Sequence, residues 1–521
     1  MGKMITDNLL AQFSGFVESH MGLSFPQEKW PDLEKGLRAA CGQFGGDQEE
    51  TFIREFMAAS LSRRQIEILA ACLTVGETYF FREKNVLEAV KYLALAEIIR
   101  TRRGADQSIR IWSAGCAGGE EPYTIAMMLQ MLVPDLKEWN ITILATDINP
   151  LFLEKAVKGV YTPWSFREVP EQINNRFFIK QGDRFEILPE IKKMVTFSYH
   201  NLMQDDYPSL LNNTNAMDLI FCRNVLMYFS PETIKNVARR FHRCLTEGGR
   251  LIVSQTEVND VYFPGFEKVC QAGAMFFVKP SVMRQTDRVQ RGNPQTISLP
   301  RPLRVGVDRH SLLEDVSLLE DGNHGAGKIR KGVTEESLYE QADNFFAQGE
   351  YHRAEELLER LIESSPGHAE ALSLLGRVCA NQGRLDDALR FIEEAISVDT
   401  MNPGRHYLHA SILIEMGRRP EAMTALKKAI YIDTDFALAY FAMGNLALGS
   451  GNRVEAERDF NTALLLLGKH SHDDILPEAE GMTAGRLMEL IGSMQWRKTE
   501  RRGTRDQGRG TRDERCGPIG C

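Results

Sequence analysis

The chain lacks any CxxC pair, and no group of His and Cys has zinc-ligand spacing. Its nine cysteines are scattered at 41, 72, 116, 222, 244, 270, 379, 516 and 521. That argues against a zinc ribbon or a disulfide framework and fits reduced thiols in a cytosolic protein. No apolar run approaches the roughly 20 residues needed to cross a bilayer, and the first residues lack the charged-then-apolar plan of a secretory signal. Met1-Gly2-Lys3-Met4-Ile5-Thr6 matches only a short acylation pattern that recurs by chance. A basic surplus is missing as well: 62 Lys and Arg against 71 Asp and Glu leave a net charge of −9, unlike a general nucleic-acid binder. The expectation is a cytoplasmic chain with no metal, no membrane insertion and no nucleic-acid partner. At 521 residues, 43% apolar and 26% charged, it is long enough for several globular domains.

The most informative stretch is Ala114-Gly115-Cys116-Ala117-Gly118-Gly119-Glu120-Glu121-Pro122-Tyr123. It joins a strand-like segment, Ile109 to Ser113, to a helix-like one, Thr124 to Val133. Glycine has no Cβ and tolerates positive φ, so a ligand can approach such a turn closely. The first helical turn carries two carboxylates and no lysine. A phosphate cradle wants free N–H groups and positive potential. This loop suits a ligand with a cationic head, such as the ammonium and sulfonium of S-adenosylmethionine.

Residues 1–75 read as helices, with apolar residues at helical spacing in Leu9, Phe13, Phe16, Val17 and again in Phe52, Ile53, Phe56, Met57. From 76 to 280 strands and helices alternate. Strand candidates are 109–114, 141–147, 194–199, 217–222, 249–254 and 274–279; helices fall at 83–102, 120–133, 149–157 and 231–246. This alternation predicts a parallel sheet with covering helices, a Rossmann-like α/β domain. Between about 160 and 193 the rhythm breaks, and Phe177 to Leu188 reads as an inserted hairpin with its turn at Gln181 to Arg184. Residues 281–333 read as a linker, with a short helix at Leu312 to Leu319. Across 334–469, glycines at 349, 383, 417 and 451 are spaced by 34 residues. So are Ala354, Ala388, Ala422 and Ala456, then Ala342, Gly376, Ala410 and Gly444, then Ala395, Ala429 and Ala463. Four series in step resemble tetratricopeptide repeats, four of which stack as an all-α solenoid with a concave face. The tail 470–521, with Arg497 to Arg515 rich in Arg, Gly and Asp, reads as disordered.

Three further places carry chemistry. Asp147 ends the second strand, where a carboxylate can accept both ribose hydroxyl hydrogens of a nucleoside. The same residue could serve as a turn former or helix cap. A bound NAD would suit that layout, but the loop lacks the GxGxxG spacing. Arg223 and Asn224 interrupt the apolar run Phe221 to Phe229 at another strand's carboxyl end. They either face the ligand crevice or form an internal network, since an unpaired buried polar group is costly. Finally, Glu77-Thr78-Tyr79-Phe80-Phe81-Arg82-Glu83 precedes the sheet; its phenylalanines suit a core and Arg82 a surface ion pair.

Together these stations resemble the CheR family of chemotaxis receptor methyltransferases. Its T-x-F-F-R-E segment corresponds to Thr78 through Glu83 and its G-E-E-P-Y loop to Gly119 through Tyr123. Thr146-Asp147-Ile148, Asn201-Leu202 and Cys222 through Tyr228 match its strand end, its N-L pair and its C-R-N-V-x-x-Y segment. Members with appended tetratricopeptide repeats are known. The resemblance implies an S-adenosylmethionine pocket in which Gly76 sits at the edge and Thr78, Arg82 and Glu120 line the methionine end. Asp147 would hold the ribose, Asn201 and Leu202 border the adenine, and Arg223 and Asn224 close the site. Arg82 and Tyr228 are the catalytic candidates, one positioning the acceptor and the other near the methyl group. It implies transfer to glutamates of methyl-accepting chemotaxis receptors, with an unknown protein ligand for the repeats.

Two features depart from the family's pattern. Lys35, Arg38, Arg63 and Arg64 are interspersed with Glu34, Glu49, Glu50 and Glu55 in place of a basic receptor-facing helix. The short hairpin turn argues against docking of a receptor-tail pentapeptide. Two other classes compete: an interaction protein whose methyltransferase half only senses cofactor, and a methyltransferase for RNA or a small molecule. Labelled methyl entering a receptor separates the first, and base-labile methyl release the second.

Overall fold

The computed structural model describes residues 5–44, 49–58, 61–271, 274–281 and 334–492. Most of the expected linker, with the helix at Leu312 to Leu319, lies outside the described residues, as does the Arg-rich stretch from Arg497.

Four helices open the chain: α1 (Asp7–Met21), α2 (Trp30–Phe44), α3 (Glu49–Ala58) and α4 (Arg63–Leu73). Leu9, Phe13 and Val17 recur on one face of α1 and are buried against Leu33 and Leu37 of α2. Ser62 and Gln65 form a reciprocal capping box that starts α4. Gly36 lets α2 and α4 approach closely, since a Cβ there would meet the Leu73 side chain at 2.5 Å.

The next domain alternates as the pattern predicts. Helices α5 (Lys84–Ala89) and α6 (Ala96–Arg102) lead into β1 (Ser108–Ala114), α7 (Glu120–Leu132), β2 (Asn140–Asp147) and α8 (Pro150–Lys158). The insertion holds β3 (Val160–Tyr161), α9 (Glu171–Phe177), β4 (Phe178–Gln181), β5 (Arg184–Ile187) and α10 (Pro189–Lys192). Then come β6 (Val195–Tyr199), β7 (Met217–Phe221), α11 (Pro231–Cys244), β8 (Leu245–Ile252), β9 (Glu267–Gln271) and β10 (Ala274–Val278). Strands β3, β5 and β4 make a small separate sheet, with Gly182 at φ +64 in the hairpin turn.

The main sheet runs β6-β2-β1-β7-β8-β10-β9. It is mixed, not purely parallel: the first five strands are parallel, and β10 is antiparallel to both neighbours. The sequence pattern misses β9 because it is an edge strand with mostly exposed residues, which removes the apolar alternation that marks a strand. The chain winds outward from β1 to β2 to β6 and then returns to β7. That reversal opens a crevice beyond the carboxyl ends of β1 and β7, where open α/β sheets bind ligands. Trp112, fully buried in β1, fixes one face: its Nε1 donates to Thr146 Oγ1 at 2.9 Å, and its ring meets those of His200, Tyr207 and Phe241 edge-on.

Eight helices follow in antiparallel pairs: α12 (Glu335–Ala347) with α13 (Tyr351–Ser364), α14 (Ala369–Asn381) with α15 (Leu385–Val398), α16 (Pro403–Glu415) with α17 (Arg419–Ile432), and α18 (Ala437–Gly449) with α19 (Arg453–Leu467). The four periodic glycines sit in the turns within the pairs at φ +75, +77, +75 and +80. Successive turns meet the amino-terminal edge of the sheet. Gly349 lies against Arg243, Gly383 within 3.3 Å of Thr246 and Gly417 within 3.8 Å of Asn140, positions counted for an added Cβ. Asn140 Nδ2 donates to the Glu415 carbonyl at 2.5 Å and Arg243 Nη1 to the Ala347 carbonyl at 3.2 Å. Order also extends past the last repeat: residues 470–492, expected as tail, pack on the solenoid through Leu476, Ala479, Met482 and Leu487. Apolar residues spaced through that stretch have no repeat register to reveal them. Among the described residues no helix is long and apolar enough to cross a membrane.

Gly451 and Gly349 share a left-handed backbone, but an added Cβ meets open space at Gly451 and the Arg243 side chain at Gly349. Gly451→Ala is expected to cost about 1–2 kcal/mol, the left-handed penalty alone. Gly349→Ala should lose more, because it also pushes the repeats off the sheet edge; urea unfolding of the full chain checks the ranking.

Candidate functional site

A cavity of about 530 Å³ lies between the helical domain and the carboxyl edge of the sheet, a size suited to a nucleoside-containing ligand. The floor is built by the glycine turn. Gly115 and Cys116 N–H groups donate to the Thr146 carbonyl at 2.8 and 2.9 Å, which folds the turn over the end of β2. Asp147 then accepts from Ala117 N through Oδ2 at 2.9 Å and from Asn149 N through Oδ1 at 2.8 Å. Burial pushes its carboxyl up to about 6, against the lowering effect of these N–H donors. Asn149 also caps α8 and reaches Thr74 Oγ1 at 2.9 Å, joining the helical domain to the sheet.

The Arg223–Asn224 segment is held from two sides. Arg223 is paired with Glu121 at 3.1 Å and Glu83 at 3.5 Å, and its Nη2 donates to the Arg82 carbonyl at 2.6 Å. Burial raises Glu121, with Arg223 and the Ser113 hydroxyl opposing the rise. Asn224 has φ +59, an unfavourable conformation that needs support. Glu257 supplies it: one carboxylate accepts from Asn224 N at 2.8 Å, Met227 N at 3.1 Å and Ser254 N at 3.0 Å. Tyr228 follows, and its carbonyl accepts from Ser24 N at 2.7 Å, closing the roof.

The cavity gathers most of the residues singled out from the sequence: Thr78, Arg82, Asp147, Asn201, Leu202, Arg223, Asn224 and Tyr228 all line it. Asn201 does so with its side chain committed, since Nδ2 donates to the His20 carbonyl at 2.7 Å and Oδ1 accepts from Met203 N. Two residues lie elsewhere. Glu120 is fully buried and turned away, accepting from Lys155 Nζ at 2.9 Å and Ser165 Oγ at 3.0 Å. Successive helical residues point about 100° apart, so the cavity wall receives Glu121 and not Glu120. Gly76 packs under the Phe152 ring, where a Cβ would collide, outside the lining. Sequence reasoning missed Glu257, distant in the chain and without a local motif, and the wall residues Lys29, Asp32 and Lys35 of the helical domain.

The donor set fits a nucleoside with a cationic amino-acid chain. Asp147 and Glu121 place carboxylates in the lining, Leu202 and Ile148 form an apolar wall, and the turn presents backbone beside Cys116. Burial, with Asp147 nearby, holds the Cys116 thiol well above its ordinary value, so it is protonated and serves as filler.

Asp147→Ala removes a charged acceptor and is expected to weaken S-adenosylmethionine affinity by about 1.5–3 kcal/mol. The raised value of about 6, above the ordinary 3.8, sets the sign with pH. The unliganded protein loses stability as pH rises from about 4 through 6, while the ionised, hydroxyl-accepting form fills over that window. Affinity at pH 5 should therefore be roughly tenfold below that at pH 7, and Asp147→Asn should flatten the profile in titration calorimetry. Glu257→Ala orphans three N–H groups; it should destabilise the fold by about 1–3 kcal/mol and weaken cofactor binding without touching the cofactor.

Comparison with known proteins agrees with this geometry. Residues 76–272 match the family model described as CheR methyltransferase, SAM binding domain. Residues 339–405 and 404–436 match tetratricopeptide repeat models. The chain is 31% identical over 255 residues to chemotaxis protein methyltransferase 2 of Vibrio cholerae, covering 49% of this chain and 86% of that one. It is 32% identical over 256 residues to the chemotaxis protein methyltransferase of Borreliella burgdorferi, covering 49% and 89%. For that of Listeria monocytogenes the figures are 36% over 185 residues, 36% and 66%. With an S-adenosylmethionine-binding domain of this kind followed by tetratricopeptide repeats, the chain belongs to the CheR family of methyltransferases.

Proposed function

We propose that the protein transfers a methyl group from S-adenosylmethionine to glutamate side chains of methyl-accepting chemotaxis receptors in the cytoplasm, forming glutamyl methyl esters, and that its repeats bind a further protein. The observation that carries this reading is the difference between two arginines in one cavity wall. Arg223 is neutralised by Glu121 and Glu83. Arg82 donates to the Glu77 carbonyl at 2.9 Å and, among the described residues, pairs with no carboxylate. A guanidinium left without an anion in the cavity wall suits an incoming carboxylate.

The chemistry asks little of the protein beyond placement. S-adenosylmethionine supplies an electrophilic methyl on a positively charged sulfur. A glutamate carboxylate is ionised at pH 7, its ordinary pKa being about 4.3, so no general base is required. Arg82 would orient that carboxylate, and Tyr228, held by Ser24 at the roof, would pack beside the transferred methyl. Thr78 and Glu121 would border the amino-acid chain, Asp147 the ribose, and Asn201 with Leu202 the adenine. The helical domain reaches over the site through the Leu23–Phe229 bridge, and with the acceptor seated this roof would keep water from the attacking oxygen. Alignment of this kind contributes about 7–11 kcal/mol in favourable systems. The two-residue turn between β4 and β5 supports recruitment by a route other than a receptor-tail tether, and the repeats offer one.

Arg82→Ala is expected to keep S-adenosylmethionine affinity within about twofold while lowering receptor esterification at least 100-fold. Calorimetry and base-labile release of labelled methyl measure the two quantities. Wild-type turnover in the variant sinks the role of Arg82, and base-stable product sinks the ester.

A further inference from the structure

The segment after the last repeat does not leave the solenoid. The first helices of the pairs, α12, α14, α16 and α18, contact one another in sequence and form the inner layer. Residues 474–484 turn back onto this layer. A bridge between Ile475 and Thr483 closes them into a loop, with Leu476 N donating to the Met482 carbonyl at 3.0 Å and Ala484 N to the Asp474 carbonyl at 2.8 Å. At the tip, Glu478 and Glu480 have φ +62 and +51, followed by Gly481 at +87. Residues other than glycine rarely adopt this backbone, so the groove has to hold it in place.

Both carboxylates face inner-layer residues. Glu480 Oε1 lies 3.7 Å from Arg377 Nη2 of α14, and Oε2 accepts from Leu210 N at 2.9 Å. Glu478 lies over Gly404 of α16, where a Cβ would come within 2.6 Å of its Cγ. Leu476, Ala479 and Met482 are buried in one cluster with Tyr407, Leu438 and Phe441. The match is imperfect for a permanent core: Glu480 Oε1 is buried with no hydrogen-bond donor, which is costly. A loop with a strained tip and an under-satisfied buried carboxylate has the properties of an exchangeable occupant.

We propose that the concave face of the repeats is a binding groove for an acidic, tightly turned peptide, and that the chain fills it in cis with its own residues 474–484. An incoming partner then needs the same chemistry: two glutamates separated by a single residue, one paired with Arg377, flanked by aliphatic side chains that replace Leu476 and Met482. The inference rests on the reading that the repeats recruit a protein and names the class of segment they take. Displacement also releases Leu210 N. The loop carrying Leu210 starts at Asn201 and Leu202, which line the cofactor cavity.

The probe is a synthetic peptide of residues 472–485. Added in excess to the wild-type full chain, it should accelerate amide hydrogen exchange of residues 474–483 at least tenfold while α14 and α16 stay protected. A peptide with Glu478→Gln and Glu480→Gln should not. The full chain carrying Glu480→Lys, which repels Arg377 and opens the loop, should bind the labelled wild-type peptide at least tenfold more tightly than wild type does. Unchanged exchange in wild type makes the segment a fixed part of the repeat core and overturns the proposal; that measurement decides if the variant fails to fold or the two disagree. Neither readout uses methyl transfer, so a failure here leaves the catalytic reading to its own test.

Discussion

The Asp147 carboxylate is the tie on which the site depends. It accepts one N–H from the glycine turn after β1 and another from the start of α8, so a single buried anion fixes two connections that diverge from the sheet's switch point. Without it the Ala117 N–H of the turn and the Asn149 N–H at the start of α8 lose their acceptor. Burial raises the proton affinity of the group, which leaves it poised to gain from hydroxyl donors. The proposed ribose contact would use the same atom pair that anchors the turn, because both tasks need a carboxylate held at the carboxyl end of a parallel strand.

A second buried carboxylate, Glu257, does for the returning half of the sheet what Asp147 does for the outgoing half. It gathers three N–H groups and holds Asn224 in a left-handed conformation, so the energy of charge-assisted hydrogen bonds offsets local backbone strain. Arg223 is locked in the same way by Glu121 and Glu83. Against this neutralised frame, Arg82 forms no ion pair among the described residues and shares the cavity wall with Lys29 and Lys35 of the helical domain.

In the repeats, one residue type meets two demands. The glycines spaced by 34 turn the chain between paired helices with positive φ, and three of them also let the turns lie against the sheet's amino-terminal edge. The array therefore docks beneath the catalytic crevice and leaves the roof to α1, α2 and their connection. Its inner layer is occupied by the chain's own residues beyond the last repeat.

Local periodicity and short motifs sufficed for the alternating domain, the helical repeats and most of the cavity lining, because strand ends and turn glycines leave signals within a few residues. Asp147 and the Arg223–Asn224 pair were legible in this way, whereas Thr78, Arg82 and Tyr228 were reached only through the resemblance to the CheR family. The mixed sheet was not, since β9 is an exposed edge with no apolar alternation. Nor was the choice of Glu121 over Glu120, which depends on how α7 is rotated against α8 and the insertion. Glu257 and the loop at 474–484 act only through contacts distant in sequence. Those contacts arise when the sheet closes and the solenoid curves, so only the tertiary structure decided which carboxylates face the cofactor cavity, which hold the backbone, and which fill the groove.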